Sequence, residues 1–376
     1  MKALILSGGK GTRLQPITHT NAKQLVPIAN KPVLFYVLEA AVAAGITDIG
    51  IIVGDTHAEI RAAVRDGKQF GSTVSITYIQ QEQPLGLAHA VKIAQSFLQD
   101  DRFAMFLGDN FILEDIGGMI RRFFSPDCAF HAQVLLKQVS DPRQFGVAEL
   151  CTLAGCPVTS ATYPGDKDVR IARLVEKPQE PVSDLALVGI YLFDHHIFEA
   201  VDAIQPSWRG ELEITDAIQY LLDHDYVVRP HLLTGYWMDT GKMGDVLDAN
   251  RAALSHIQRT SAPGVSVDLN SQVLGEVVLE DNARLINSVV RGPAIIGRNV
   301  TLSNAYIGPF TSIAQNSQVV NSEIEHSILL EGCHIRDIEG RIEDSLIGRH
   351  TQIFPSANKP RSYKLLLGDH SCIGIL

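Results

Sequence analysis

Residues Lys2 to Pro32 read KALILSGGKGTRLQPITHTNAKQLVPIANKP. The run Ala3-Leu4-Ile5-Leu6 is short and apolar throughout, the pattern of a parallel strand buried on both faces. Gly8-Gly9-Lys10-Gly11-Thr12-Arg13 follows it. Glycines let a backbone approach a ligand closely and reach positive φ. Successive N–H groups in such a turn cradle phosphate oxygens. Arg13 adds a planar fork for two phosphate oxygens, and Lys23 adds a point charge. The same glycines also suit a plain tight connection. No GKS or GKT closes the loop, and the third glycine of G-x-G-x-x-G is missing. Neither a P-loop nor a dinucleotide fingerprint is therefore present.

The chain has 376 residues, 45% of them hydrophobic, which suits two domains or one large domain with an appendage. Its net charge of -10 argues against a general nucleic-acid binder. An anionic ligand then needs a local basic pocket or bound cations, and Lys10, Arg13, Lys23 and Lys31 supply one. The five cysteines, Cys128, Cys151, Cys156, Cys333 and Cys372, are odd in number and form no C-x-x-C pair. Free thiols in a reducing cytoplasm are expected, not zinc. No signal peptide is read at the N-terminus. No apolar run approaches the roughly 20 residues that span a bilayer, so no membrane partner is expected.

Strand and helix signals alternate after the loop. Pro32 is expected to open a helix that stops at Gly45. Ile49–Val53 and Val74–Ile79 read as strands, with a capping box at Thr56-His57-Ala58-Glu59 between them. This alternation argues for an α/β domain. Gln81 and Gly86 lie where a strand gives way to a helix, at the carboxyl end of the sheet, where ligands bind in open α/β folds. A Gln amide suits the edge of a pyrimidine, although a lone Gln is more often a solvated loop residue. Phe103–Leu107 is a further buried strand and ends in Gly108-Asp109-Asn110. A carboxylate there suits a hard cation, or an Asx turn. Cys128–Lys137 reads as a long strand. Asp239 follows another apolar stretch in Tyr236-Trp237-Met238-Asp239-Thr240-Gly241. His195-His196 point in different directions on a helix and are read as structural.

The stretches GGKGTRLQPIT, AKQLVP and NKP together resemble the signature of the sugar-1-phosphate nucleotidylyltransferases. KQLVPIANKP and Arg209–Asp216, RGELEITD, are similar to the glucose-1-phosphate thymidylyltransferases, of the longer type with a C-terminal β-helix. The resemblance implies transfer from dTTP to glucose 1-phosphate, giving dTDP-glucose and pyrophosphate, with Mg²⁺ on Asp109 and Asp239. It makes Arg13 and Lys23 catalytic. It assigns Leu6, Gly8, Gly9, Gly11 and Thr12 to the nucleotide, together with Gln24, Gln81, Pro84, Gly86 and Gly108. Gly146 in the FGV stretch, Glu176, Lys177, Tyr191 and Arg209 would bind the sugar phosphate. UTP or a broad range of nucleotides is the alternative within the same chemistry. A non-catalytic sugar-nucleotide sensor is the alternative outside it.

The pattern changes beyond Ala262-Pro263-Gly264. Asn287-Ser288, Asn304-Ala305 and Asn321-Ser322 open related blocks 17 residues apart, and Asp344-Ser345 opens a fourth after 23. Aliphatics recur six apart, as in Val290–Ile296–Leu302, Ile307–Ile313–Val319, Ile347–Ile353 and Leu367–Ile373. This is the hexapeptide β-helix signature, and the steps of 17 and 23 are expected to be near one coil, with corner slips or an insertion. Such helices also occur in acyltransferases, but beside His326, His334, His350 and His370 no distinct acyl-donor site is read. Assembly into a homo-oligomer, or a regulatory contact, is the expected role.

The expected architecture is α/β: a Rossmann-like mixed, mostly parallel sheet with helices on both faces, then a left-handed β-helix. The expected divisions are 1–241 for the nucleotidylyltransferase domain, 242–264 for a helical linker and 265–376 for the repeats.

Overall fold

A computed structural model describes residues 1–356 except Lys10, Thr20, Asn21 and Lys167. The strand Lys2–Ser7 lies inside a ten-stranded sheet. It runs parallel to Asp48–Val53 on one side and to Phe103–Leu107 on the other. Ser75–Gln80 extends the sheet beyond Asp48–Val53, again in parallel. From Leu185–Phe193 onward the pairing turns antiparallel, to Phe103–Leu107, to Ala132–Gln138 and to the strand Gly146–Thr152. The sheet is therefore mixed, as expected.

Alternate side chains of Lys2–Ser7 enter two separate cores, because strand side chains alternate between faces. Leu4 and Leu6 pack with Ala88, Val91, Ile214 and Ile218. Ala3 and Ile5 pack with Leu34, Leu38, Ile60 and Val64. Helices thus cover both faces: Leu87–Ile93 and Ile214–Asp223 on one, Val33–Ala43 and His57–Val64 on the other.

The chain lays down Lys2–Ser7, Asp48–Val53 and Ser75–Gln80 in one direction. It then returns to place Phe103–Leu107 on the far side of Lys2–Ser7. Strand order reverses between those two neighbours. Loops leaving their carboxyl ends must diverge, and this opens the crevice in which α/β folds bind ligands. Gly8 and the Gly108-Asp109 pair stand at those two ends.

Three local expectations shift. The helix opens at Val33, not Pro32, because Pro32 pairs with Pro27 in a short hairpin. Thr56 makes no side-chain cap bond, since its backbone (φ -94, ψ 24) is not the extended form a capping residue uses. The strand expected from Cys128 begins at Ala132.

Close contacts divide the chain into two compact units that do not follow chain order. One comprises Met1–Lys10, Ala22–Leu25 and Val33–Asp239; the other comprises Gly11–Asn21, Val26–Pro32 and Thr240–Leu376. The second unit holds a three-sided parallel β-helix. One side stacks Thr260–Ser261, Val277–Leu279, Ala294–Ile296, Thr311–Ile313, Ile328–Leu329 and Leu346–Ile347. The first of these strands precedes residue 265. The six-spaced aliphatics Val290, Ile296, Leu302, Ile307, Ile313 and Val319 are all fully buried inside the coils.

Each coil turns three corners, and most corners hold a residue at positive φ. Asn tolerates that conformation better than most residues. Asn287, Asn304 and Asn321 adopt φ of 47, 49 and 47. Their amides form a ladder, Asn287 to Asn304 at 3.1 Å and Asn304 to Asn321 at 2.9 Å. The Asp344-Ser345 block does not continue it. Asn321 donates instead to Asp337 at 2.6 Å, and Ser345 N–H donates to Ser327 Oγ at 3.1 Å, at another corner. The step of 23 joins two corners and is not a lengthened coil.

Leu367–Ile373, His370 and Cys372 lie outside the described residues. Cys128, Cys151, Cys156 and Cys333 are unpaired thiols. No helix among the described residues is long and apolar enough to cross a membrane.

Candidate active site

The ends of three parallel strands crowd together at the crevice. A Cβ on Gly54 would stand 3.0 Å from the Gly8 carbonyl oxygen, and one on Gly108 would stand 2.9 Å from the Leu6 carbonyl oxygen. Side chains there would push the strand ends apart. Gln24 fills the space between the loops: its Nε2 approaches the Cβ position of Gly9 at 3.7 Å and its Cγ that of Gly108 at 3.5 Å. Leu6, Gly8, Gly9, Gln24 and Gly108 are thus neighbours. Gln24 is buried, and among the described residues its Oε1 has no hydrogen-bond partner. An unmet buried acceptor is costly unless a donor arrives.

Gln81 leaves the adjacent strand and lies 3.3 Å from the Cβ position of Gly8. Its amide Nε2 donates to His89 Nδ1 at 3.0 Å and faces the Gly86 carbonyl oxygen at 3.4 Å. Burial, then the nearby Lys92, push the His89 pKa down, which favours the neutral ring that accepts this bond. Gly86 has φ +104, and a Cβ there would fall 2.3 Å from the Leu212 carbonyl oxygen. Leu212 N–H donates to the Leu85 carbonyl at 2.7 Å, and Ala88 N–H to that of Leu212 at 3.1 Å. Glycine is required here by backbone packing against the RGELEITD stretch. Pro84 is exposed beside it.

Asp109 and Asp239 meet at the Lys23 ammonium. The strand Trp237–Asp239 pairs antiparallel with Asn110–Ile112, and the register sets Asp239 opposite Asn110. Lys23 Nζ bonds Asp109 Oδ2 and lies 3.7 Å from Asp239 Oδ1. Burial pushes the Asp109 carboxyl up. The charge and hydrogen bond of Lys23, with help from Asn110, outweigh that and hold its pKa below the ordinary carboxylate range.

A second charged cluster gathers the residues expected at the sugar phosphate. Gly146 pairs with Glu176 across the strands Gly146–Thr152 and Val169–Glu176, and a Cβ on Gly146 would collide with Thr215 at 2.5 Å. Glu176 accepts from Thr215 at 3.2 Å and lies 3.3 Å from Lys177 Nζ. Arg209 donates through Nε to Glu213 at 3.0 Å, bonds Glu211 through a terminal nitrogen, and stands 3.9 Å from Glu176. Glu213 is itself buried and accepts from Ser207 at 2.7 Å. Burial opposes the Arg209 charge, but Glu213, Glu211 and Glu176 together raise its pKa. The buried Tyr191 phenol is pushed well up, by desolvation first and then by Glu176.

Gly11, Thr12 and Arg13 belong to the second unit. Gly11 takes φ 64 and starts a single 3₁₀ turn, Thr12–Leu14. Thr12 and Arg13 are exposed, and Leu14 is fully buried.

Sequence reasoning missed His89, Asn110 and Trp237. Trp237 Nε1–H donates to Asn110 Oδ1 at 2.6 Å, and Asn110 Nδ2 donates to Asp109 Oδ1 at 3.1 Å. This relay ties the strand carrying Asp239 to the Asp109 carboxylate. Its one signal was position, since Asn110 follows Asp109 and Trp237 lies two before Asp239. His196, with His131 and Asp194, forms a group of possible metal ligands. Yet His131 Nδ1 accepts from Val227 N–H at 2.9 Å, and Asp194 receives both His196 N–H at 3.1 Å and His196 Nδ1 at 3.0 Å. The Asp194 contacts brace a helix start, which is a structural use of this group.

Comparison with known proteins identifies the family. The sequence profile of the family described as nucleotidyl transferase matches residues 2–256. A curated glucose-1-phosphate thymidylyltransferase from Streptomyces antibioticus is 51% identical over 377 residues, spanning 100% of this chain and 99% of its own. A protein of the same name from Streptomyces griseus is 51% identical, over 99% of this chain and 98% of its own. A crystal structure assigned to a glucose-1-phosphate thymidylyltransferase from Bacillus anthracis, in complex with a sucrose, superposes with a TM-score of 0.59. It is 34% identical and covers 69% of this chain and 98% of that one. With matches running through both the sheet and the β-helix, the chain belongs to the nucleotidyl transferase family, among the long, β-helix-bearing glucose-1-phosphate thymidylyltransferases.

Proposed function

We propose that the protein joins dTTP and glucose 1-phosphate to give dTDP-glucose and pyrophosphate, with Mg²⁺ held by Asp109 and Asp239. The observation that carries the reading is the meeting of those two carboxylates at Lys23, beside the reversal of strand order. The names of the full-length relatives supply the substrates. Two carboxylates with no thiol or imidazole among them form a donor set suited to a hard, oxygen-seeking cation. When bound, Mg²⁺ would supply charge neutralisation on the triphosphate.

The chain's own residues do the rest. The nucleophile is a phosphate oxygen, already anionic, so no general base is needed; positioning and charge neutralisation suffice. Lys23 polarises the reacting phosphate. Arg13 lies four residues past Gly9, so the chain alone keeps its backbone within about 14 Å of the glycine loop. It takes charge building on the leaving pyrophosphate. The loop residues Leu6, Gly8, Gly9, Gly11, Thr12, Gln24 and Gly108 hold the nucleotide, with a donor from it meeting Gln24 Oε1. Gln81, Pro84 and Gly86 face the base. Lys177 and Arg209 orient the sugar phosphate, while Gly146, Glu176 and Tyr191 border the sugar.

The same reading extends to a homo-oligomer in the cytoplasm. Exposed Leu269, Leu274 and Ile286 on the β-helix support an assembling face, and the four unpaired thiols support a reducing compartment.

Pyrophosphate release, measured with glucose 1-phosphate and each of dTTP, UTP, ATP and GTP, tests the proposal. The expected result is the highest kcat/KM with dTTP and dTDP-glucose as product. A preference for UTP would move the assignment to the uridylyl chemistry. Nucleotide binding with no pyrophosphate release from any of the four would leave a sensor.

A further inference from the structure

The loop that carries Arg13 is seated on the β-helix. Leu14, the residue after Arg13, packs with Val26, with Val246 and Leu247 of the helix Met243–Leu254, and with Ile328 and Leu330 of a coil. Ile328 and Leu330 flank Leu329, which points into the coil core. Strand side chains alternate, so the two flanking residues point outward. Outward aliphatics on a coil would normally be wetted, yet Ile328 is only 1% exposed and Leu330 4%. Leu14 and the helix Met243–Leu254 are what cover them. Ile17, on the same loop, comes within 3.4 Å of the Cβ position of Gly348.

A polar hub reinforces the seat. Asn250 is 1% exposed. Its Oδ1 accepts from Ala29 N–H at 2.8 Å and from Ser312 Oγ at 2.8 Å, and its Nδ2 donates to the Phe310 carbonyl at 3.2 Å. Asn30 Nδ2 donates to the Ile313 carbonyl at 2.9 Å. Ala29 and Asn30 both take positive φ, 49 and 60, between the paired strands Pro27–Ile28 and Lys31–Pro32. That backbone is strained for Ala, and the bonds from Asn250 and the coil hold it. Within the loop, Thr18 Oγ1 donates to the Gly11 carbonyl at 2.7 Å, closing the segment on either side of Arg13.

We propose that the β-helix is part of the catalytic apparatus, with Leu14, Asn250 and the coil residues Ile328 and Leu330 as positioning residues for Arg13. This rests on the reading of Arg13 as the group that takes the pyrophosphate charge. Because Leu14 is bonded directly to Arg13, a shift of its seat moves the Arg13 backbone with it.

The test is a double-mutant cycle in the full chain between Leu330→Ala and Arg13→Ala, scored by kcat for pyrophosphate release. A displaced charge contact costs up to about 100-fold, so Leu330→Ala alone is expected to lower kcat about tenfold. In the Arg13→Ala background the same change should cost less than about twofold, because the group it positions is gone. Equal losses in both backgrounds, or an undiminished kcat in a folded Leu330→Ala protein, overturn the inference. Where Leu330→Ala does not fold, Leu330→Val and Asn250→Asp enter the same cycle. A second readout does not depend on turnover: trypsin cleaves after arginine, and cleavage at Arg13–Leu14 should quicken about tenfold once the seat is loosened. An unchanged cleavage rate in the folded variant also overturns it. Wild-type turnover with additive losses defeats this inference alone. A wild type that makes no dTDP-glucose defeats the proposed function, and the cleavage rates still judge the seat.

Discussion

The two charged clusters of the sheet unit neutralise their own cations in different ways. At Lys23, one buried ammonium is shared by two carboxylates, Asp239 on one strand and Asp109 just before the strand paired with it. At Arg209, a planar fork has one edge locked onto a buried glutamate. A point charge can be exchanged for another cation with little loss of geometry, whereas a locked fork is already oriented. Under the proposed function, the difference suits the first cluster to replacement of charge and the second to direction. A phosphate that reaches Arg209 must compete with Glu211, and it gains from an arginine that cannot swing away.

The largest effect is expected at the first cluster. Asp109→Asn or Asp239→Asn should lower kcat by about 10²- to 10³-fold, the scale of one lost preorganised charge contact. Steady-state turnover at saturating Mg²⁺ measures it; unchanged turnover in both would dissolve the contrast. Next, Arg209→Lys keeps the charge but removes the fork. The kcat/KM for glucose 1-phosphate should fall by about 10- to 100-fold while the KM for dTTP holds. A matching loss for both substrates would show that Arg209 is not directional.

Trp237→Phe keeps the ring stacked edge-on against Phe145, at 5.5 Å, and removes the N–H that bonds Asn110. Outer-shell bonds to metal ligands commonly carry about tenfold in affinity, so Mn²⁺ titrated into the variant should bind about tenfold more weakly. Affinity equal to the wild type would cut Trp237 out of the site.

The smallest effect is in acid. Asp109 has a folded-state pKa below its unfolded value, so folding favours its charged form. The stability this adds is present above the unfolded value of about 4 and is lost as pH falls through the lowered folded value. The gap in melting temperature between wild type and Asp109→Asn should therefore narrow on acidification below about pH 4. A gap independent of pH would mean that the Lys23 pairing adds nothing to the fold.

Much of this protein was legible in one dimension. The apolar run at Ala3, the glycine loop and the two carboxylates after apolar strands were visible because each depends on local covalent facts: period, φ freedom and charge. The β-helix was visible because stacking repeats the same burial every coil. The fourth Asn/Asp-Ser block misled because corners on different sides of a coil need the same left-handed backbone and so recruit the same residues. Asp344 looks like Asn321 yet stacks on a different neighbour. Gly86 was readable as a glycine with a purpose, but its crowding by Leu212 joins segments more than a hundred residues apart.

From sequence alone came the alternation of strands and helices, the repeat and the types of chemistry on offer, since these follow from what each residue does beside its neighbours in the chain. Tertiary structure alone decided that Asp109 and Asp239 share Lys23, that Trp237 reaches Asn110, and that the Arg13 loop shares a compact unit with the β-helix. Those are contacts between segments far apart in sequence, fixed by strand register and by which apolar surfaces find cover, and no local pattern encodes them.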